Sequence, residues 1–213
     1  MTKIFFTSDY HIGHSNILRL CNRPFSDVDE MEKAIIRNHN YVVSKNDEVW
    51  DLGDIAFKCS PQHIANFLGK LNGKRRIILG NHDKSLRQAY QKGLLKELIC
   101  NDRLSIIGGE AIIYDNTLDV SKTIFVNGQK IYLGHYSHRS WPSAFRNVWH
   151  LFGHSHGNLE AFFKSFDVGV DGHNFFPWEF NEIKTVMDAI KNPYHENPSQ
   201  IAQNNPENQE NEE

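Results

Sequence analysis

An α/β or α+β fold is predicted by two features of this 213-residue sequence. In the first half, short β-prone apolar runs alternate with helix-forming stretches, the pattern of strands joined through helices. In the second half the apolar runs are broken at Gly108-Gly109, Asp115-Asn116 and Asn127-Gly128. The last of these pairs is a strong two-residue hairpin signal.

Residues 3–8 read as a buried strand that delivers Asp9 and His11 at its C-terminal edge. Ser26, followed three residues later by Asp29, resembles a capping box, and Val28, Met31, Ile35 and 41–43 suit a helix over 27–43. The second strand is expected at 48–52. Ser60-Pro61 supplies an N-cap and first-turn pair for a helix to Leu71, and 75–79 reads as a third strand running into Gly80-Asn81-His82-Asp83. Antiparallel strands are expected over 104–133, further strands at 148–152 and 166–170, and a terminal helix over 179–191. From Asn192 the chain is rich in Asn, Gln, Glu and Pro, so 192–213 is expected to be a disordered polar, acidic tail and 1–191 a single domain.

Composition excludes several classes. Hydrophobic residues make up 39% and charged residues 23%. No apolar run reaches the roughly 18 residues of a membrane span, so neither a disordered chain nor a membrane protein is expected. The opening MTKIFFTSDYHIGH breaks at Asp9, unlike a secretory signal, and the expected address is the cytoplasm. Three cysteines without a CxxC pair argue against a disulfide framework or a thiolate metal cage. A net charge of -3 gives no global attraction to a polyanion, so stable nucleic-acid binding is not expected.

Twelve histidines are many for this length, and the informative ones fall in short clusters. Asp9-Tyr10-His11, Gly53-Asp54, Gly80-Asn81-His82-Asp83, Gly134-His135 and Gly153-His154-Ser155-His156-Gly157 all sit at the ends of predicted strands. Asp9 and His11 are two apart, as are His154 and His156, so on an extended backbone each pair points to one side. The preceding glycines permit backbone conformations that turn a side chain from a strand end into a cleft. Asp, Asn and His without Cys suit divalent ions such as manganese, iron, zinc or nickel and disfavour copper(I); the ligand types do not decide among them, and two ions with manganese first is the expectation carried forward. Two such ions need a bridging carboxylate, and Asp54 is the natural bridge.

This ordered set, spanning residues 9–157, resembles the calcineurin-like metallophosphoesterase superfamily. Residues 11–25, with His14, Asn16 and Arg23-Pro24-Phe25, and 167–171 are similar to a branch of small bacterial and phage phosphoesterases. The resemblance implies a two-sheet β-sandwich flanked by helices, with a dinuclear metal site at the strand C-terminal ends. It implies one ion held by Asp9, His11, Asp54 and His156, and another held by Asp54, Asn81, His135 and His154. It also implies that His82 faces the substrate phosphate as a catalytic group and that Asp83 orients it. The implied reaction is hydrolysis of a phosphodiester or phosphomonoester in a small, nucleotide-like substrate. A hydroxide bridging the ions attacks in line, and Asn81 helps to stabilise the developing charge.

Several residues have two readings. His14 either contacts substrate or caps the following helix. Arg23 either clamps phosphate or is an ordinary surface arginine. Asp171 either accepts a hydrogen bond from a ligating histidine or ends a strand before Gly172. His138 and Arg139 lie close enough to His135 in sequence to line the cleft, with a plain loop role favoured. His39, His63, His150, His173 and His195 belong to no motif. The segment 104–125 is longer than that branch leads one to expect, and is read as a lid or an interface. Two other functions stand beside the leading one: a nuclease acting on longer nucleic acid, and a catalytically silent protein-binding scaffold. Degeneration to a scaffold should erase ligands, and all seven ligand positions are present.

Overall fold

The computed structural model of the chain describes residues 2–115 and 117–190. The first half runs Ile4–Thr7 (β1), Ser15–Leu20 (α1), Val28–Val42 (α2), Glu48–Asp51 (β2), Pro61–Lys70 (α3), Lys74–Ile77 (β3), Lys84–Gln91 (α4) and Lys96–Cys100 (α5). The second half runs Leu104–Ile106 (β4), Gly109–Tyr114 (α6), Lys122–Val126 (β5), Gln129–Leu133 (β6), Trp149–Phe152 (β7), Ser165–Asp167 (β8), Trp178–Glu179 (β9) and Phe180–Ala189 (α7). The tail expected to be disordered, 192–213, lies outside the described residues.

Two mixed sheets result. The first has the order β4-β3-β2-β1-β9 and is parallel except for β9. Both faces of its central strands are covered, although only β1 reads as an apolar run: β2 carries Glu48 and Asp51, and β3 carries Lys74, Arg75 and Arg76. Phe6, Trp50, Leu52 and Ile78 share one core with Ile131, Leu133, Trp149 and Leu151 of the second sheet and with Phe180, Ile183 and Met187 around α7. On the opposite face Ile77 joins a second core with Met31 and Ile35 of α2, Ile64, Phe67 and Leu68 of α3, and Leu86 and Ala89 of α4. Each fully buried Ile, Leu or Phe contributes about 2 kcal/mol of transfer free energy.

The second sheet has the order β5-β6-β7-β8. Asn127 and Gly128, at φ 48° and 83°, make the expected hairpin between β5 and β6, while β6, β7 and β8 run parallel. The expectation of antiparallel strands over 104–133 therefore holds only for β5 and β6. Leu104–Ile106 instead extends the first sheet in parallel, and α6 sends Ile112 and Ile113 into the helix-side core, so this part of 104–125 is framework.

Two caps bear on how the helices are fixed. Ser60 accepts from the backbone N–H of His63 at 3.1 Å, as its sequence predicts. The α2 cap lies one residue later than expected: Asp27 accepts from Glu30 N–H at 2.8 Å, and Glu30 in turn receives the N–H and hydroxyl of Ser26. The predicted strand at 166–170 is cut short at Asp167, and Val170–His173 forms a 3-10 turn.

Two motif-free histidines are framework. His39 receives Tyr10 OH at Nδ1 (3.3 Å) and lies 2.9 Å from Asn72 O through Nε2. His150 accepts His138 N–H at Nε2 (3.0 Å) and faces Tyr132 O through Nδ1. Burial pushes the imidazoles down, to about 3 for His39 and about 4 for His150. In the unfolded chain a histidine takes a proton near pH 6.5 while the folded His150 stays neutral, so this stabilisation is present above pH 6.5 and is lost as pH falls towards 4. Between pH 7.5 and 5, His150 alone is expected to cost about 2 kcal/mol. Denaturant titrations at both pH values test this: His150→Gln should shrink the difference by that amount, and an unchanged difference contradicts it.

Candidate metal centre

The five clusters converge at the C-terminal ends of β1, β2, β3, β6 and β7. The loops after β1 and β2 run side by side, Asp9 N–H bonding to Gly53 O at 2.9 Å and His11 N–H to Asp54 O at 3.0 Å. The backbone there is not extended, contrary to the sequence expectation. Asp9, His11, Asp54, His154 and His156 all have φ between 50° and 66°. Left-handed backbone at non-glycine residues costs of order 1 kcal/mol or more each, and such strain gathers at functional sites.

The glycines act by a different route than predicted. Of the glycines that precede Asp54, Asn81, His135 and His154, only Gly53, at φ 99°, has a left-handed conformation. Gly80 and Gly153 are required by close approach: an added Cβ would lie 2.1 Å from Asp54 Oδ1 and 2.0 Å from Ser8 Oγ, respectively.

The side chains form two groups around Asp54. Its Oδ2 lies 3.6 Å from His11 Nε2, and its Oδ1 lies 3.5 Å from His135 Nε2. Asp9, His11 and His156 present ligand atoms within 4.8 Å of one another, and so do Asp54, His135 and His154. Asn81 adds an amide oxygen 3.1 Å from His135 Nε2. The His11 and His156 rings stack at 5.0 Å, and the His135 and His154 rings meet edge-on at 5.2 Å.

Asp9 Oδ1 and both ring nitrogens of His11 are buried with no hydrogen-bond partner among the described residues. Buried polar atoms are normally satisfied, because stranding one costs about 1–3 kcal/mol. A carboxylate oxygen of Asp9 and one ring nitrogen each from His11 and His156 lie within 4.8 Å of one another, a donor set chemically suited to a divalent cation, so the residues fit the predicted metals.

Without a cation the buried carboxylates and imidazoles compensate one another. Burial pushes Asp9 up to about 7, so in isolation its ionised form is disfavoured. Burial also holds His11 down to about 3, keeping it in the neutral form that donates to a metal. Burial works to raise Asp54, but the hydrogen bond and charge of His135 hold it at about 2. His135 rises to about 9 against the effect of burial, because Asp54 stabilises its charged form. Its Nδ1 faces Leu52 O at 2.7 Å, so a proton held there leaves Nε2 directed at the site.

Two predicted roles are corrected. Asp83 does not orient the His82 ring: its carboxylate accepts three backbone N–H groups, from Asp54 (2.9 Å), Ile55 (2.8 Å) and Gly80 (2.8 Å). It is a positioning residue that pins the Asp54 loop. Arg23 is neither a phosphate clamp nor a surface arginine. It is 4% exposed, and its N–H groups reach Asp171 Oδ1 and Oδ2, Tyr10 O, Asp9 O and Met31 Sδ, so no donor remains for substrate.

His14 opens α1 without a side-chain cap, so the capping alternative fails. Its ring lies 5.3 Å from that of His11 and 4.2 Å from Phe57. Phe57 also meets His82 edge-on at 4.8 Å, and the His82 ring is 5.5 Å from His11, so these residues form one wall of the site. Tyr136 stands against His135 and His154 on the other side, with ring centroids at 5.0 and 4.7 Å. Sequence reasoning passed over Phe57 and Tyr136; their only available signal was adjacency to ligand-bearing loops. His138 is occupied in the framework, its ring stacked on His150 at 5.3 Å.

No protein-family model matches the chain. It is 33% identical over 199 residues to the uncharacterized protein MJ1445 of Methanocaldococcus jannaschii, covering 90% of this chain and 94% of that protein. The Gene 66 protein of Mycobacterium phage L5 is 38% identical over 85 residues, which are 39% of this chain and 41% of the phage protein. Among solved structures, the protein of unknown function AQ665 from Aquifex aeolicus superposes with a TM-score of 0.63 at 22% identity, covering 87% of this chain and 100% of that one. That likeness is one of fold. No helix among the described residues is long and apolar enough to cross a membrane.

Proposed function

We propose that this chain, which belongs to one family with the uncharacterized archaeal protein MJ1445, is a calcineurin-like metallophosphoesterase of the cytoplasm that hydrolyses phosphate esters with two divalent ions. The observation that carries this reading is Asp54, whose two carboxylate oxygens face two different groups of ligand atoms. On this reading the two sheets are a β-sandwich with a dinuclear centre at one end. Asp9, His11, Asp54 and His156 would hold one ion, and Asp54, Asn81, His135 and His154 the other. When bound, two such ions bring the pKa of water towards neutrality and screen the charge that develops on phosphorus-bound oxygens. Manganese is the first metal to test, and iron, zinc and nickel suit the same ligand types.

The chain's own residues then have distinct tasks. Asn81, exposed at the rim, can donate its amide N–H to a phosphate oxygen while its Oδ1 faces inward. His82 is half-buried beside His11 and can pass a ring proton to the leaving oxygen. His14 and Phe57 cover one flank and limit the approach of water from that side. Arg23 is consumed internally and offers no grip on a dianionic group. This favours a phosphodiester, whose single negative charge needs less compensation, in a small nucleotide-like molecule.

The test is hydrolysis of bis(p-nitrophenyl) phosphate and p-nitrophenyl phosphate by the full chain after chelation and after addition of Mn²⁺. Activity restored by Mn²⁺, and greater on the diester, is expected. Protein loaded with two ions that cleaves neither compound would sink the reading.

A further inference from the structure

Two stretches stand apart from the chemistry above, Arg23-Pro24-Phe25 and 167–171, and they meet behind His156. The Arg23 guanidinium donates to both oxygens of Asp171, from Nε at 2.8 Å and from Nη2 at 2.7 Å. Two of its three remaining hydrogens grip the main chain at the first candidate ligand, reaching Asp9 O at 2.7 Å and Tyr10 O at 2.9 Å, and the third points to Met31 Sδ. Asp171 Oδ2 also lies 2.7 Å from Nδ1 of His156. Phe175 closes the assembly, its ring 5.6 Å from the guanidinium and 4.7 Å from that of Phe25.

The chain of contacts thus runs from the Asp9-Tyr10 backbone through Arg23 and Asp171 to the imidazole of His156. A carboxylate at Nδ1 keeps the ring proton there and leaves the Nε2 lone pair for the ligand group formed with Asp9 and His11. Arg23 keeps that carboxylate ionised, so it accepts the hydrogen bond without taking the proton. The other ligand group is backed differently. His135 relies on a neutral acceptor, the carbonyl of Leu52. Asp167 braces the loop of His154 and His156 without touching either ring, accepting Gly157 N–H at 2.8 Å and the Ser155 hydroxyl at 2.5 Å.

We propose that Asp171, held in place by Arg23, is a positioning residue that fixes the tautomer and direction of His156 as a metal ligand, and that it serves one half of the two-ion centre. The inference rests on the metal-centre reading, and its consequence is selective: loss of the Asp171 carboxylate weakens one ion and spares the other.

Full-length wild type and Asp171→Asn, freed of metal by chelation, are titrated with Mn²⁺ by calorimetry. Nitrogen-15 spectra of histidine-labelled, metal-free wild type, with His156 assigned through His156→Gln, report which ring nitrogen carries the proton. The wild type should take two ions, and the variant should lose about 10- to 100-fold in affinity for one of them alone. Neutral His156 should carry its proton on Nδ1. Since Asp171→Asn leaves Arg23 facing an amide and can unfold, the doubly neutral Arg23→Gln/Asp171→Asn variant carries the same expectation. The inference is overturned if a folded variant binds both ions with wild-type affinity or weakens both equally, or if wild-type His156 holds its proton on Nε2. Should both variants unfold, or the wild type take no Mn²⁺, the tautomer decides the Asp171 assignment. A wild type without Mn²⁺ defeats the metal-centre reading separately.

Discussion

Asp54→Asn is expected to reduce bound metal from two ions per chain to one or none, and to lower kcat/KM by at least about 10³-fold, some 4 kcal/mol of transition-state stabilisation. The substitution nearly preserves shape. An asparagine Oδ1 can still accept the N–H of His82, which Asp54 takes at 2.8 Å, and the loop remains pinned by Asp83. What disappears is the charge between His11 and His135, 3.6 and 3.5 Å away. Without it His135 loses the partner that holds its imidazole up at about 9, and two cations would have to share a neutral amide. Metal analysis beside the rate measurement separates this from unfolding. A variant that kept two ions and ordinary turnover would show that Asp54 is not the bridge.

The framework was legible wherever local signals and burial agree. Ser60-Pro61 opens α3 and Asn127-Gly128 turns the β5–β6 hairpin, because each sets its own backbone geometry irrespective of what packs around it. The strands at β1, β2 and β7 were found within about a residue at either end, since each carries β-prone apolar residues that are buried in the fold. The helices α4, α5 and α6 went unrecognised, and α1 was expected only as a helix of unstated length after His14. They are short, five to eight residues, and their formation depends on tertiary packing rather than on a run of propensity. The parallel pairing of β4 with β3 is likewise a long-range fact, with Arg75 opposite Leu104, and nothing in the Leu104–Ile106 sequence states which neighbour it takes.

At the site, residue type and spacing identified the groups that come together: Asp9, His11, Asp54, Asn81, His135, His154 and His156 all lie there. They could not distinguish a residue facing substrate from one facing inward. Asp83 sits beside Asn81 in one cluster and Arg23 in the 11–25 stretch, yet Arg23 is used up on Asp171, two carbonyls and Met31 Sδ, and Asp83 on three backbone N–H groups. That choice is made by the burial of a charge, which must find partners within the fold, and partners distant in sequence are not written beside it. The left-handed φ of Asp9, His11, Asp54, His154 and His156 is hidden for a related reason: Asp and His at such angles are locally unfavourable, and only surrounding contacts hold them there.

His82→Ala is expected to keep both ions and to lose about 10²- to 10⁴-fold in kcat on an alkyl phosphodiester. The separation from metal binding follows from its contacts. The backbone N–H of His82, which alanine retains, bonds to Asp54, while its ring touches only the rings of His11 and Phe57 among the ring contacts found. Removing the imidazole therefore leaves the Asp54 contacts to His11 and His135 in place. An alkoxide leaves poorly without a proton, so its departure should depend on this group. A p-nitrophenolate is stable as an anion and should leave nearly as well from the variant as from the wild type. The ratio of the two losses is thus the informative quantity, because a general disturbance of the pocket would slow both substrates alike. Equal losses on the two leaving groups would reassign His82 from proton donor to a group that binds phosphate, and departure of an ion would place its ring in the support of the metal ligands instead.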